Sequence, residues 1–411
     1  MRRFVLVLGL VLAASTPDAQ AQPRPIGPTM TIESGDAQSV SYGPRIALGP
    51  EGSFVVAWTR WTVRPESQSD IVFRKLKMNG EPLGRRFQVN QFLPEFQLNA
   101  DVAMNARGEI AFTWNSEKQD GDRLGAYARL YRGRVPVSEE TPVPTHTEGS
   151  QQLPRVGIDD EGRFTVVWES FGQDSGDSFD VWARRFDEDG DPLADPFRIN
   201  VHQDNAQSNP DIAMHPDGSS VMVWRSWNQA GPGAGIYGRR FDAEGQPLGR
   251  EFRIHQSTIP SAGTPTVSLG PDGGFLVAWD RCDFSDPAAG CAVLARRYDA
   301  SGKAAGKEFL VSTNDTRKHE EPAVAFDSRG NFAIAWRLCG AGPGGQAYEC
   351  RIAIRFYDRQ GNAFQSLQTI RSDNVLRSPT IAGFKDQFLV AWDGGSPQGI
   401  YAQRYVLETK R

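Results

Sequence analysis

A tryptophan closes an apolar run at seven places along this chain: Trp58, Trp114, Trp168, Trp224, Trp279, Trp336 and Trp392. Neighbouring members lie 54 to 57 residues apart, with a mean near 55.7. A period of this length marks a repeat architecture, in which each unit is one supersecondary element that buries its face only against the next. Seven such units need about 390 of the 411 residues. A division into two or three unrelated domains, the ordinary prior for this length, is therefore excluded.

Each unit reads as four strands. The first is short, as in Pro44-Arg45-Ile46-Ala47 and Pro210-Asp211-Ile212-Ala213. Its third position is β-branched in all seven units, from Ile46 to Ile381, and its fourth is small in all seven, from Ala47 to Ala382. Small side chains at a fixed place imply crowding where strands converge on one axis. A Gly turn follows, at Gly52, Gly108, Gly162, Gly218 and Gly273, supplying the positive φ of a tight hairpin. The second strand is almost wholly apolar, as in Phe275-Leu276-Val277-Ala278-Trp279, which implies cover on both faces. The third alternates and ends in an aromatic, as in Ala183-Arg184-Arg185-Phe186, and the fourth is the most polar. This order, from small to polar, is that of a propeller blade from axis to rim.

The expected fold is an all-β, seven-bladed β-propeller of four-stranded antiparallel blades, spanning residues 22–411. The last unit runs out of chain after its third strand, Ile400 to Tyr405. Pro28-Thr29-Met30-Thr31-Ile32-Glu33 has the length and pattern to complete that blade. Such closure pairs an edge that would otherwise stay open.

The unit pattern is Pro-x-[Val/Ile]-Ala, then Asp-Gly-x-Phe-x-Val-x-Trp, then Ala-Arg-Arg-Phe-Asp, then Gly-x-Pro-Leu-Gly-x-x-Phe-x-[Val/Ile]-Asn. It resembles the repeats of secreted bacterial β-propeller proteins. The fullest copies are residues 154–200 and 210–255, and the weakest is 99–145, where Arg132-Gly133-Arg134 replaces the usual turn. The resemblance implies a fold and an exported location, not a reaction.

The first 21 residues fit that implication. Arg2 and Arg3 precede an 11-residue apolar run, Phe4 to Ala14, and then Ala19-Gln20-Ala21. This is the order of a secretory signal peptide, and the run is too short to span a bilayer, which takes about 20 residues. The four cysteines agree. Cys282 and Cys339 each follow a blade tryptophan by three residues, while Cys291 and Cys350 each precede a third-strand aromatic by seven. That register pairs Cys282 with Cys291 and Cys339 with Cys350 across two hairpins, as suits an oxidising compartment.

Candidate ligand-binding residues fall in two sets. The loops between second and third strands, and between blades, are long and emerge on one face, where binding usually resides. Trp61, Phe171 and Trp227 sit there, three residues after their blade tryptophans, beside Asp174, Asp177 and Asn228. They suit stacking on sugar rings or anchoring a protein loop, or cover the tops of their own blades. The second set is the second position of the first strand, where four neighbouring blades alternate Arg45, Asp101, Arg155 and Asp211. These residues are expected to ring the channel mouth, either as a collar of ion pairs or as a rim for a charged ligand. Flanking arginines are expected to keep both aspartates ionised. The third-strand arginines Arg74, Arg129, Arg184, Arg239, Arg296 and Arg355 recur too regularly to form one site. They read as links between blades.

With 45 Lys and Arg against 50 Asp and Glu, evenly mixed, the chain lacks the footprint of a nucleic-acid binder. Asp187-Glu188-Asp189-Gly190-Asp191 misses calcium-loop spacing and aligns with ordinary turns. Four of the five histidines, His146, His202, His255 and His319, are placed in inter-blade loops. No catalytic motif, metal site or cofactor fingerprint is evident. The leading expectation is a monomeric, exported, non-catalytic module that binds a protein or glycan on its long-loop face. The alternative is a secreted glycosidase or lyase with its site at the channel mouth.

Overall fold

The computed structural model describes residues 22–36, 38–62, 67–173, 176–256, 262–283, 290–313, 315–341, 348–372, 374–395 and 397–408. Residues 1–21, expected to be a signal peptide, lie outside them. Seven antiparallel sheets follow one another around a ring. Blade four shows the plan: Gln207–Met214 innermost, then Ser220–Trp227, Ala234–Phe241 and the two-residue outer strand Phe252–Arg253. Blade one begins at Ser39–Leu48, blade two at Gln97–Met104, blade three at Gln151–Ile158, blade five at Ala262–Leu269, blade six at Lys318–Phe326 and blade seven at Arg377–Phe384. The innermost strands are longer than the four residues read from the sequence. Each starts several residues earlier and passes through a register shift.

Closure is as expected, with a longer strand. Gln22–Ser34 pairs antiparallel with Gly399–Glu408 and forms the outer strand of blade seven. Arg74 Nη1 of blade one donates to the carbonyl of Ile32 at 2.6 Å, and Arg86 pairs with Glu33. The N-terminal strand is thus held from both sides. Pro23, Pro25 and Pro28 lie along it, and proline suits an edge strand because it has no amide to donate.

The core is the set of seams between blades. Six of the repeat tryptophans are fully buried, and Trp392 is 3% exposed. Trp114 of blade two packs with Ala57 and Phe73 of blade one, and Trp168 of blade three with Ala111 and Ala128 of blade two. A flat indole fills the wedge between diverging sheets. Fully burying a large apolar side chain contributes roughly 1.5–3 kcal/mol. Nearer the axis the space closes. A Cβ on Gly157 would lie 2.7 Å from Cβ of Met214 in the next blade, which is the crowding that small fourth-position residues imply.

The third-strand arginines join blades as the pattern implies. Arg129, Arg184, Arg239 and Arg296 each donate Nη1 to a main-chain carbonyl of the preceding blade, Val89, Val143, Ile199 and Ile254, at 2.8–3.2 Å. Each also donates Nε to a carbonyl of its own blade. The acidic run at Asp187 is a turn, whose Asp187 carboxylate accepts from the amides of Asp189 and Asp191.

Candidate functional site

The site follows from a bulge. In six blades the residue before the axial segment takes a left-handed conformation: Gly43, Asn99, Leu153, Asn209, Glu321 and Ser378, with φ between 49° and 64°. The strand register shifts across each of these positions. A bulge takes a main-chain amide out of the ladder, and a buried amide needs another acceptor. The residue after the blade tryptophan supplies it in most blades. Asn115 Oδ1 accepts from Leu153 N at 3.1 Å, Glu169 Oε2 from Asn209 N at 2.6 Å, and Asp393 Oδ1 from Gly43 N at 3.3 Å, each across a seam. Asp280 Oδ1 accepts from Thr264 N at 2.9 Å within blade five. At the sixth seam Glu321 accepts from Ser378 N at 3.2 Å, while Arg337 holds Glu320 and Glu321 at 2.8 and 3.1 Å.

Beyond the bulge the strand turns its next residues to the axis. There a cavity of about 220 Å³ is lined by the second and third positions of all seven inner strands, so Arg45, Asp101, Arg155 and Asp211 share it with Thr266, Ala323 and Thr380. The aspartates face inward but are tied down. Asp101 Oδ2 accepts from Val156 N at 3.0 Å, and Asp211 Oδ2 from Val267 N at 2.8 Å, each an amide of the next blade. Arg45 Nε lies 3.6 Å from Asp101 Oδ1. Arg45 and Arg155 each donate Nη1 to the carbonyl of their own preceding proline, at 3.4 and 2.9 Å.

Burial decides the electrostatics here. It pushes Asp211 up to about 6, although the Arg155 charge and the Val267 amide pull it down; the Asp101 charge adds to the rise. With its pKa near 6 Asp211 is still mostly ionised at pH 7, but its arginine neighbours do not hold it at or below the ordinary carboxylate value. Desolvation of a carboxylate in a closed site outweighs their attraction. Burial, and then the like charge of Arg155, lower Arg45, against the pull of Asp101, Asp211 and Glu321.

A second charged ring escaped the sequence reading. Glu169, Arg225, Asp280, Arg337 and Asp393 occupy one position in blades three to seven and alternate in sign. Burial raises Glu169 and Asp393, and pushes Asp280 up to about 6. Arg225 feels both Glu169 and Asp280. The signal was available, because the residue after the repeat tryptophan is polar in all seven units, from Thr59 to Asp393.

The aromatic set does not converge on this cavity. Trp61 is 50% exposed and meets Phe96 edge-on at 6.0 Å. Phe171 packs on Phe179 of its own blade at 5.1 Å. Trp227 lies under the Arg225 guanidinium at 5.1 Å. None of the three lines the axial cavity. Asn228 holds its own loop by accepting from Gly233 N, and Asp174 lies outside the described residues.

Both disulfides form in the expected register, Cys282–Cys291 and Cys339–Cys350, each joining directly opposed residues. Among the described residues one group of three metal-competent side chains occurs, Cys282, Cys291 and Glu320. Its sulfurs are bonded to each other and offer no thiolate, so it does not fit a metal ion. One of the four inter-blade histidines sits elsewhere than expected. His319 is within the first strand of blade six, where its Nδ1 accepts from Trp336 Nε1 at 2.9 Å. His255 lies between blades as expected, two residues past the outer strand of blade four, and accepts from Ile236 N as Asn90 and Asn200 do from the equivalent amides. Both serve packing.

No family model and no curated protein matches this sequence. Solved propellers do match in shape. A protein of unknown function from Dyadobacter fermentans is 12% identical, with a TM-score of 0.54 over 96% of this chain and 100% of that one. An α-L-arabinanase from Penicillium chrysogenum, complexed with arabinobiose, is 10% identical, with a TM-score of 0.54 over 94% and 99%. A polysaccharide lyase of family PL25, an ulvan lyase, is 12% identical, with a TM-score of 0.56 over 92% and 95%. At these identities the likeness is one of fold. No helix among the described residues is long and apolar enough to cross a membrane.

Proposed function

We propose that this chain is an exported, monomeric carbohydrate-binding propeller that holds its ligand at the axial cavity. One observation carries the reading. Four charged side chains from consecutive blades, Arg45, Asp101, Arg155 and Asp211, converge on one cavity. Fixed donors and acceptors in a concave site are what a hydroxyl-rich ligand needs to displace its water without loss. Two of the structural neighbours are an α-L-arabinanase and a polysaccharide lyase, which supports the class. Two disulfides support an oxidising destination.

The test is a glycan array followed by calorimetry on any hit, with wild type and an Ala323→Trp variant. Ala323 lines the cavity opposite the charged arc, so an indole there should abolish binding while the melting temperature and circular dichroism persist. Binding that survives the plug would move the site to the long loops and Trp61. A second reading, cleavage of the bound glycan, is favoured by Asp211 alone, whose carboxyl at about 6 suits proton donation near neutrality. Release of new chain ends, lost in Asp211→Asn, would establish it.

A further inference from the structure

We infer that the axial cavity selects an acidic glycan, with Arg45 and Arg155 receiving a carboxylate or sulfate group. This rests on the carbohydrate reading above and names its substrate class. The cavity wall holds two arginines and two aspartates, so a count of charges does not choose between anion and cation. The hydrogen bonds do.

Each acid around the channel is committed to protein. Asp101 holds Val156 N and Asp211 holds Val267 N. Glu169, which feels the Arg155 charge, holds Asn209 N and Gln152 Nε2. Glu321, whose charge Arg45 feels, holds Ser378 N and pairs with Arg337. These carboxylates satisfy amides at the seams, and moving them to a ligand would strand a buried amide.

The guanidiniums are in the opposite state. A guanidinium carries five N–H donors. Among the described residues Arg45 and Arg155 each make one hydrogen bond, to the preceding proline carbonyl, and that of Arg45 is long at 3.4 Å. Arg45 keeps Asp101 only at 3.6 Å from its Nε, and its side chain is 30% exposed. Two like charges therefore face one small cavity, near enough to disfavour each other. An anion between them removes that repulsion and fills unused donors. Bidentate donation from a planar fork is the geometry by which arginine takes carboxylate and sulfate-like groups. With one oxygen of each aspartate held by an amide and most guanidinium donors unused, the site has more free donors than free acceptors, so its ligand brings acceptors.

The experiment is calorimetric titration of the full mature chain with four polysaccharides of matched length: a polyuronate, its methyl ester, a sulfated galactan and a neutral arabinan. Wild type, Arg45→Gln, Arg155→Gln and the double variant are compared, with melting curves to confirm folding. The expected result is binding of the polyuronate or the sulfated chain at least tenfold tighter than the ester and the arabinan. The two charged polymers distinguish carboxylate from sulfate. Each single variant should weaken that binding about tenfold, and the double should abolish the preference. The salt dependence should fall in step, as for a released ion pair. Equal binding of neutral and acidic chains, or acidic binding unchanged in the double variant, overturns the inference while leaving a carbohydrate site standing. Absence of binding to all four overturns both readings.

Discussion

Glu169 Oε2 accepts the main-chain amide of Asn209 at 2.6 Å, across the seam between blades three and four. The acid is 4% exposed and its other oxygen takes Gln152 Nε2 at 2.9 Å. Asn209 stands in the left-handed region with φ 53°, so its amide has left the strand ladder. A sequence-distant side chain thus completes a local backbone irregularity, and that irregularity aims Asp211 into the cavity. Glu169→Leu should strand the amide and lower stability by about 1–3 kcal/mol. Glu169→Gln keeps an acceptor and should cost less. Chemical denaturation of both variants checks the order.

The ring depends on its last joint. Residues Gln22–Ser34 form the outer strand of blade seven, and Arg74 and Arg86 of blade one reach back to Ile32 and Glu33. A chain that lacks Gln22–Ser34 and starts at Gly35 would expose the edge of Gly399–Glu408 and lose both anchors. A fall in melting temperature of many degrees is expected, with concentration-dependent aggregation through the open edge. Scanning calorimetry with light scattering reads both. An unchanged transition would mean that the other six seams hold the ring unaided.

The period, the strand order, the closure and the cysteine register were all legible, for one reason. Each rests on a side chain whose type the fold demands seven times over or whose position is doubled in two blades. A wedge between sheets needs an indole, so Trp58 and its six counterparts announce the blades. A crowded axis needs small groups, so Gly157 and its counterparts announce the inner strand. The seam acceptors were not legible because the fold demands only an acceptor there. Asn115, Glu169 and Asp393 meet that need with three residue types, one amide and two carboxylates, and in blade six Glu321, from another position, takes the part. The bulge that creates the need leaves no residue signature, since glycine, asparagine, leucine, glutamate and serine all occupy it. The upward pull on Asp211 was not legible because neighbours can be counted in a sequence and desolvation cannot.

Cys282–Cys291 and Cys339–Cys350 close loops of 9 and 11 residues in sequence at the long-loop ends of blades five and six. Cross-links over loops this short should contribute roughly 2–3 kcal/mol each, chiefly by restricting the unfolded chain. Replacing either pair with serines should lower the urea midpoint, and the double replacement should do so by nearly the sum, because the bonds lie in different blades. Folded wild type should lose the same amount in reductant. A Cys282 to Cys339 cross-link in peptide mapping would contradict the pairing.

Asp280 gives the sharpest pH signature. Burial lifts it to about 6; the Glu320 charge adds to the rise, while the Thr264 amide and the Arg225 charge oppose it. A carboxyl with a higher pKa folded than unfolded stabilises the fold below its unfolded value, and that contribution is lost as pH rises through the folded value. For Asp280 the window runs from about pH 4 to just above 6. Asp280→Asn does not titrate, yet its amide oxygen can still accept from Thr264 N. The variant should therefore gain on wild type as pH rises from 4 to 7, by about 1–3 kcal/mol in all, with the difference levelling off above pH 7. Asp211→Asn should show the same direction over the same window, since burial also lifts Asp211 to about 6. Melting temperatures of the three proteins between pH 4 and 8, at fixed ionic strength, decide the point. A gap that narrows with rising pH would show that Arg225 and Arg155, not desolvation, govern these two acids.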